Sequence, residues 1–274
     1  MTCENLRSSV PNERDVLLPY LFGDTDIAAR RLQVLAEVFA ESTRAFLLET
    51  NLVNPRLAVD LGCGPGHTTH LLAWVQPFDR VVGLDNSEYF ISLAQTTQTE
   101  KVSFSLHDVT TAPFPTGSGD LLYCRFLLTH LRETQVVVER WATQLRPKGL
   151  LLMEEVEWIR TDHAVFTIYL KIVEAFLEHQ SNKLYVGPFL NGLEHSKALE
   201  RRSNQVRRLA VTDRRAATMF YLNMQSWKSH PFIRTNFSAD SMTQLEKDLN
   251  TLATQSGEES QIEWGLRQIV YERV

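Results

Sequence analysis

Between Val59 and Gly66 the chain reads Val-Asp-Leu-Gly-Cys-Gly-Pro-Gly, and this segment restricts the fold more than any other. Arg56 to Leu61 is a short apolar run, read as a buried strand, and an acidic residue stands at its end. Three glycines at alternate positions then admit a tight turn with positive φ and let a ligand approach the backbone closely. A helix is expected from about His67 to Val75, and its first N–H groups are free to meet a carboxylate or phosphate. A strand, a glycine turn and a helix in this order point to a parallel sheet with its ligand at the carboxyl ends of the strands.

The alternation continues downstream. Strands are expected at Arg80 to Leu84, Val102 to Leu106, Asp120 to Cys124 and Leu150 to Glu154, with helices at Ser87 to Thr97 and Thr134 to Leu145 between them. Short apolar strands alternating with helices give a sheet covered on both faces. The rhythm breaks after the fifth strand. Helical patterns then occupy His163 to Gln180, Pro188 to Leu199, Arg214 to Lys228 and Ser241 to Ala253, with strands at Gln205 to Thr212 and Ile262 to Val270. Ahead of everything stands a helical segment from Asp24 to Glu49, which Asp24 or Thr25 can cap and whose apolar residues recur on one side. The expected organisation is a helical cap over residues 1–54 and a main domain over 55–274, with residues 162–260 supplying a lid and the last strands.

The glycine loop excludes two common readings. A dinucleotide loop, G-x-G-x-x-G, would need glycine where His67 stands, and a Walker loop would need Gly-Lys-Ser/Thr. Instead, Asp60-Leu61-Gly62-Cys63-Gly64-Pro65-Gly66 resembles motif I of class I, Rossmann-like S-adenosylmethionine-dependent methyltransferases of the small-molecule type. The resemblance extends over residues 56–155, including the stretches Asp120 to Leu131 and Leu145 to Leu152; Ser118-Gly119 precedes Asp120 where the family usually has an aromatic. It implies an α/β fold with a seven-stranded, mostly parallel sheet, its last strand antiparallel, an N-terminal helical cap and helical insertions after strand five.

It also implies a site. Asp60, Gly62, Cys63, Gly64, Gly66, His67 and Thr68 would cradle S-adenosyl-L-methionine, Asp85 and Asn86 would take the ribose, and Asp108 with Val109 the adenine. Arg125 closes the set from strand four, while Tyr20 and Arg31 would close over the cofactor from the cap. Arg31 suits the methionine carboxylate, because a guanidinium fork matches that group. For catalysis the candidates are His130, Glu154 and Tyr185. Glu155 ends the same strand as Glu154, and alternation lets only one of the two face the pocket. Methyl transfer is an in-line displacement in which positioning contributes much of the rate, and a base is needed only where the acceptor must lose a proton.

Composition narrows the partners. A net charge of -5 argues against nucleic acid, and the runs Arg201-Arg202 and Arg207-Arg208 read as solvated faces. Three scattered cysteines supply neither a disulfide framework nor a metal site. The first ten residues lack an apolar core of a secretory signal, and no run is long enough to span a bilayer, so a cytoplasmic location is expected. A small biosynthetic metabolite is the expected methyl acceptor, with a homo-oligomer compatible with these features. Two rivals share the motifs: use of the bound cofactor in a non-methylating rearrangement such as a cyclisation, and a regulatory scaffold.

Overall fold

A computed structural model describes residues 25–50, 52–193, 198–254 and 260–274. Tyr20 lies outside the described residues. The helices are α1 (Asp26–Leu48), α2 (His67–Val75), α3 (Glu88–Gln95), α4 (Thr134–Thr143), α5 (Ala164–His179), α6 (Gly187–Asn191), α7 (Asp213–Trp227), α8 (Pro231–Asn236) and α9 (Ala239–Thr254). The strands are β1 (Leu57–Leu61), β2 (Arg80–Asp85), β3 (Val102–Leu106), β4 (Gly119–Arg125), β5 (Leu145–Arg160), β6 (Leu199–Thr212) and β7 (Gln261–Arg273).

One seven-stranded sheet has the order β3-β2-β1-β4-β5-β7-β6. The pairs from β3 to β5 are parallel, and β7 runs antiparallel to both of its neighbours. The strand order reverses at β1, which has β2 on one side and β4 on the other, so a crevice opens at its carboxyl end. Every residue of β1 is buried, as expected of a central strand covered on both faces. Thr25 caps α1, its hydroxyl accepting from the Ala28 N–H at 3.2 Å.

The expected boundaries fail mainly in the C-terminal half. β5 does not stop at Glu154 but continues to Arg160, because β7 pairs with it from Leu150↔Glu272 to Arg160↔Glu263. β6 begins at Leu199 instead of Gln205, carried through polar residues by its ladder with β7. As an edge strand it tolerates charge, and charge discourages further pairing. There Arg202 pairs with Glu200 and Glu272, and Arg207 with Glu49. The helix expected at Pro188 to Leu199 is the short α6, and α8, begun by Pro231, was not anticipated.

The inserted helices share one core with the sheet. Phe39 of α1, Phe166, Tyr169 and Phe176 of α5, Phe220 and Trp227 of α7, and Trp264 of β7 are buried in a single cluster. Phe220 joins it through contacts to Tyr169 at 4.2 Å, Phe166 at 5.5 Å and Trp264 at 5.8 Å. No described helix is long and apolar enough to cross a membrane.

Candidate functional site

The glycine loop is built around backbone that only glycine adopts readily. Gly62, Gly64 and Gly66 have φ of 68°, 53° and 91°. The N–H groups of Gly62 and Cys63 donate to the Leu84 carbonyl at 2.8 and 3.0 Å, tying the loop to β2. The Gly64 N–H donates to Asp85 Oδ2 at 2.8 Å, and Ser87 N–H to Asp85 Oδ1 at 2.9 Å. Asp85 thus stands at the loop with its carboxylate already oriented.

Two of the expected cofactor residues act from behind the wall. Asp60 is 1% exposed and accepts from the Thr68 and Thr69 hydroxyls at 2.6 and 2.7 Å, which fastens the start of α2 to the end of β1. Burial raises its carboxyl to about 6, against the opposing hydrogen bonds. At Gly66 a Cβ would lie 2.6 Å from the Phe104 ring, so this glycine serves close packing of α2 on β3. Neither residue lines the cavity; both are corrected from contacts to supports.

A cavity of about 1190 Å³ opens over the carboxyl ends of β1, β2, β4 and β5. One part is lined by Gly62, Cys63, Gly64, His67, Thr68, Asp85, Asn86, Asp108, Val109, Arg125 and Arg31, which the sequence named. Gly64 faces Leu32 of α1, where a Cβ would come within 3.4 Å of Cδ1, so α1 roofs the loop. The Arg125 guanidinium donates to the Thr43 hydroxyl at 2.9 Å. Burial, with a contribution from Arg125, lowers His67, and burial pushes the Cys63 thiol well up, leaving it a neutral wall residue. Close backbone at Gly62 and Gly64, a carboxylate at the end of β2 and another after β3 fit S-adenosylmethionine: Asp85 would hold the ribose hydroxyls, Asp108 and Val109 the adenine, Arg31 the amino-acid end. The group supplies an electrophilic methyl on a sulfonium.

The second part of the cavity departs further from expectation. Glu154 does not face it. Its side chain is fully buried on the other face of β5, accepting from Ser42 at 3.0 Å, Thr43 at 2.6 Å, Tyr123 at 3.0 Å and Gln268 at 2.7 Å. This network ties α1 to β4, β5 and β7, and pleating turns Glu155 to the cavity instead. Glu155 Oε1 accepts from the Leu127 and Leu128 N–H groups, both at 2.8 Å, whereas the buried Oε2 has no partner. Burial, helped by Glu154 and opposed by those two N–H groups, lifts Glu155 to about 8.

Tyr185 is also off the wall; its neighbour Leu184 lines the cavity, and burial raises the Tyr185 phenol to about 12. His130 does line the cavity, on the short turn Leu128–His130. Burial, aided by Arg31, lowers it to about 3, so the imidazole is neutral at physiological pH and a weak proton acceptor. Of the large apolar residues of α5 and α6, Tyr169 and Leu170 are on the wall, Phe166 and Phe176 are core, and Phe189 is 42% exposed.

Phe39, Phe126, Phe220, Asn223 and Trp264 also line the wall and were missed. Phe126 holds φ of 55°, rare for a bulky side chain, with its N–H donating to the Glu154 carbonyl at 3.1 Å. The signal that could have found it is its place directly after β4, at the sheet's carboxyl edge. Asn223 and Trp264 gave no such signal, because nothing local distinguishes them from ordinary helix and strand residues.

Residues 59–153 match the family model described as "Methyltransferase domain". The chain is 35% identical over 108 residues to a trans-aconitate 2-methyltransferase of Methylobacterium radiotolerans, a match spanning 39% of this chain and 41% of that protein. The chain spans about two fifths of the length of such curated relatives. Among solved structures, the 4+2 cyclase SpnF is similar in fold with a TM-score of 0.55 at 15% identity, covering 85% of this chain and 81% of that one. A Haemonchus contortus phosphoethanolamine N-methyltransferase, solved with phosphomonomethylethanolamine and S-adenosylhomocysteine, has a TM-score of 0.52 at 14% identity, covering 92% of this chain and 60% of that one.

Proposed function

We propose that the chain transfers a methyl group from S-adenosylmethionine to an oxygen, nitrogen or carbon of a small biosynthetic metabolite, in the cytoplasm, with α1 serving as the cap over the cofactor. One observation carries this reading: a single cavity joins the glycine loop and Asp85 to an apolar compartment roofed by α5 and α7. A donor and an acceptor housed side by side need only be held at reacting distance and in line for displacement to proceed. Asp85, Asp108, Val109 and Arg31 bind and orient the donor, the loop glycines keep Cβ atoms out of its way, and the inserted helices exclude water from the acceptor. Neutral His130 contributes a hydrogen bond to the acceptor and does not remove its proton.

Calorimetry with S-adenosylhomocysteine tests the reading. Wild type should bind, and Asp85→Ala should bind about ten- to a hundredfold more weakly, the cost of deleting a charged hydrogen-bond acceptor, about 1.5–3 kcal/mol. Equal binding by both proteins, or none by either, sinks it. Release of S-adenosylhomocysteine in the presence of an acceptor then separates transfer from a non-methylating use of the same site.

A further inference from the structure

We infer that the second compartment takes an aromatic molecule of one or two rings carrying a hydroxyl that hydrogen-bonds Glu155 Oε2, and that it rejects polycarboxylates. The inference names the acceptor class of the proposed methyltransferase and rests on that reading only for the role of the bound molecule.

The wall is a continuous run of rings. Phe126 meets Phe39 edge-on at 5.0 Å, Phe39 meets Trp264 at 6.0 Å, Trp264 meets Phe220 at 5.8 Å, and Phe220 stacks on Tyr169 at 4.2 Å. All five line the cavity, and they come from α1, the end of β4, β7, α7 and α5. Rings offer a flat guest both offset-stacked and edge-to-face contacts, which add to the area it buries. A molecule bearing several carboxylates would surrender its hydration to these rings.

Two buried polar atoms on this wall have no partner. Glu155 is 1% exposed, its Oε1 is pinned by two backbone N–H groups, and its buried Oε2 has no partner. Asn223 donates through Nδ2 to the Tyr169 hydroxyl at 2.7 Å, and its buried Oδ1 likewise has no partner. Buried polar atoms are paired in native proteins with few exceptions, so an unpaired one on a cavity wall marks the place where a ligand completes the set. A hydroxyl suits Glu155 in either protonation state. It accepts from the carboxylic acid and donates to the carboxylate, whereas a ligand carboxylate meets repulsion as soon as Glu155 ionises. Glu155 also stands where the two compartments join, since Leu127, whose N–H it accepts, covers Gly62 so closely that a Cβ there would lie 2.7 Å from Cδ1.

Fluorescence titration of the cofactor-free protein with 2-naphthol, naphthalene and tricarballylate is the test. Wild type should bind 2-naphthol at least tenfold more tightly than naphthalene, with tricarballylate at least a hundredfold weaker. Glu155→Gln, which keeps one oxygen for the backbone and one donor for the ligand, should hold the preference within about threefold; Glu155→Leu should abolish it. If Glu155→Leu fails to fold, as judged by its thermal melt, the wild-type ratios decide alone. Equal affinity for the two aromatic probes, binding of neither, or tighter binding of tricarballylate overturns the proposal. S-adenosylhomocysteine binding is measured on the same protein, so loss of the methyltransferase reading shows there and leaves the probe result readable.

Discussion

The two compartments of the cavity are built by different means. Over β1 and β2 the wall is largely backbone, with Gly62 and Gly64 at positive φ and the Val109 segment, joined by the carboxylates of Asp85 and Asp108. Its residues fall in short local groups along the chain. Over β5 and β7 the wall is side chain, assembled from Phe39, Phe126, Glu155, Tyr169, Phe220, Asn223 and Trp264, which no local stretch brings together. A compartment shaped by backbone presents the same donors wherever its loop closes, and so accommodates one fixed group. A compartment shaped by side chains changes whenever one of them does, and so can be tuned to its guest. The helix that touches both is α1, through Arg31 and Leu32 on one side and Phe39 on the other.

The severest disturbance of this comparison is Glu154→Ala. It removes the acceptor for Ser42, Thr43, Tyr123 and Gln268 at once and with it the polar joint between α1 and the sheet. Stranding buried donors of this kind costs about 3–5 kcal/mol, and both compartments should lose their ligands together. Denaturant unfolding, with S-adenosylhomocysteine and 2-naphthol binding, measures it; loss of one ligand alone would mean that α1 is not the shared element.

Gly66→Ala should separate the compartments. The new Cβ would sit at a φ of 91° and 2.6 Å from the Phe104 ring, at a cost of about 2–4 kcal/mol from strain and overpacking together. At a temperature where the variant remains folded, S-adenosylhomocysteine binding should weaken while 2-naphthol binding holds. Equal weakening of the two would join what the comparison divides.

The smallest effects lie in pH. Glu155 is lifted from its ordinary 4.5 to about 8, so the folded state holds a proton that the unfolded state has released, and stability falls as pH rises through that window. Relative to Glu155→Gln, wild type should lose about 2 kcal/mol between pH 5 and pH 7. His130 runs the other way. Its value falls from 6.5 to about 3, so the folded state resists protonation and stability is lost as pH drops below 6.5. Relative to His130→Asn, wild type should lose about 2 kcal/mol between pH 7 and pH 5. Thermal melts across pH 5 to 8 check both, and flat difference curves would show that neither group is buried as described.

Much of the cavity wall around the glycine loop was legible because its residues stand in short consecutive groups. A glycine turn between an apolar strand and a helix, an Asp ending the next strand and an Asp after the third each declare themselves within a few positions. Even there, contact and support could not be told apart: Asp60 and Gly66 belong to the motif yet act from behind the wall. The alternation of β5 announced that one of Glu154 and Glu155 faces inward, but the choice depends on how far the strand continues and what pairs with it. Phe166, Phe176, Tyr169 and Leu170 share one apolar helix, α5, and periodicity alone cannot say which turn of it meets a cavity and which a core.

What the sequence determined by itself is the parallel sheet, its crevice and the class of group bound there, since local φ requirements, strand-end acids and alternating patterns are properties of short segments. Tertiary structure alone decided the length of β5 and β6, through their ladders with β7, and the assignment of Glu154 to a joint and Glu155 to the cavity. It also decided the aromatic wall. Phe39, Phe126 and Trp264 become one surface only when α1, the end of β4 and β7 are packed, because the free energy of burying them arises from contacts between elements that the local sequence does not contain.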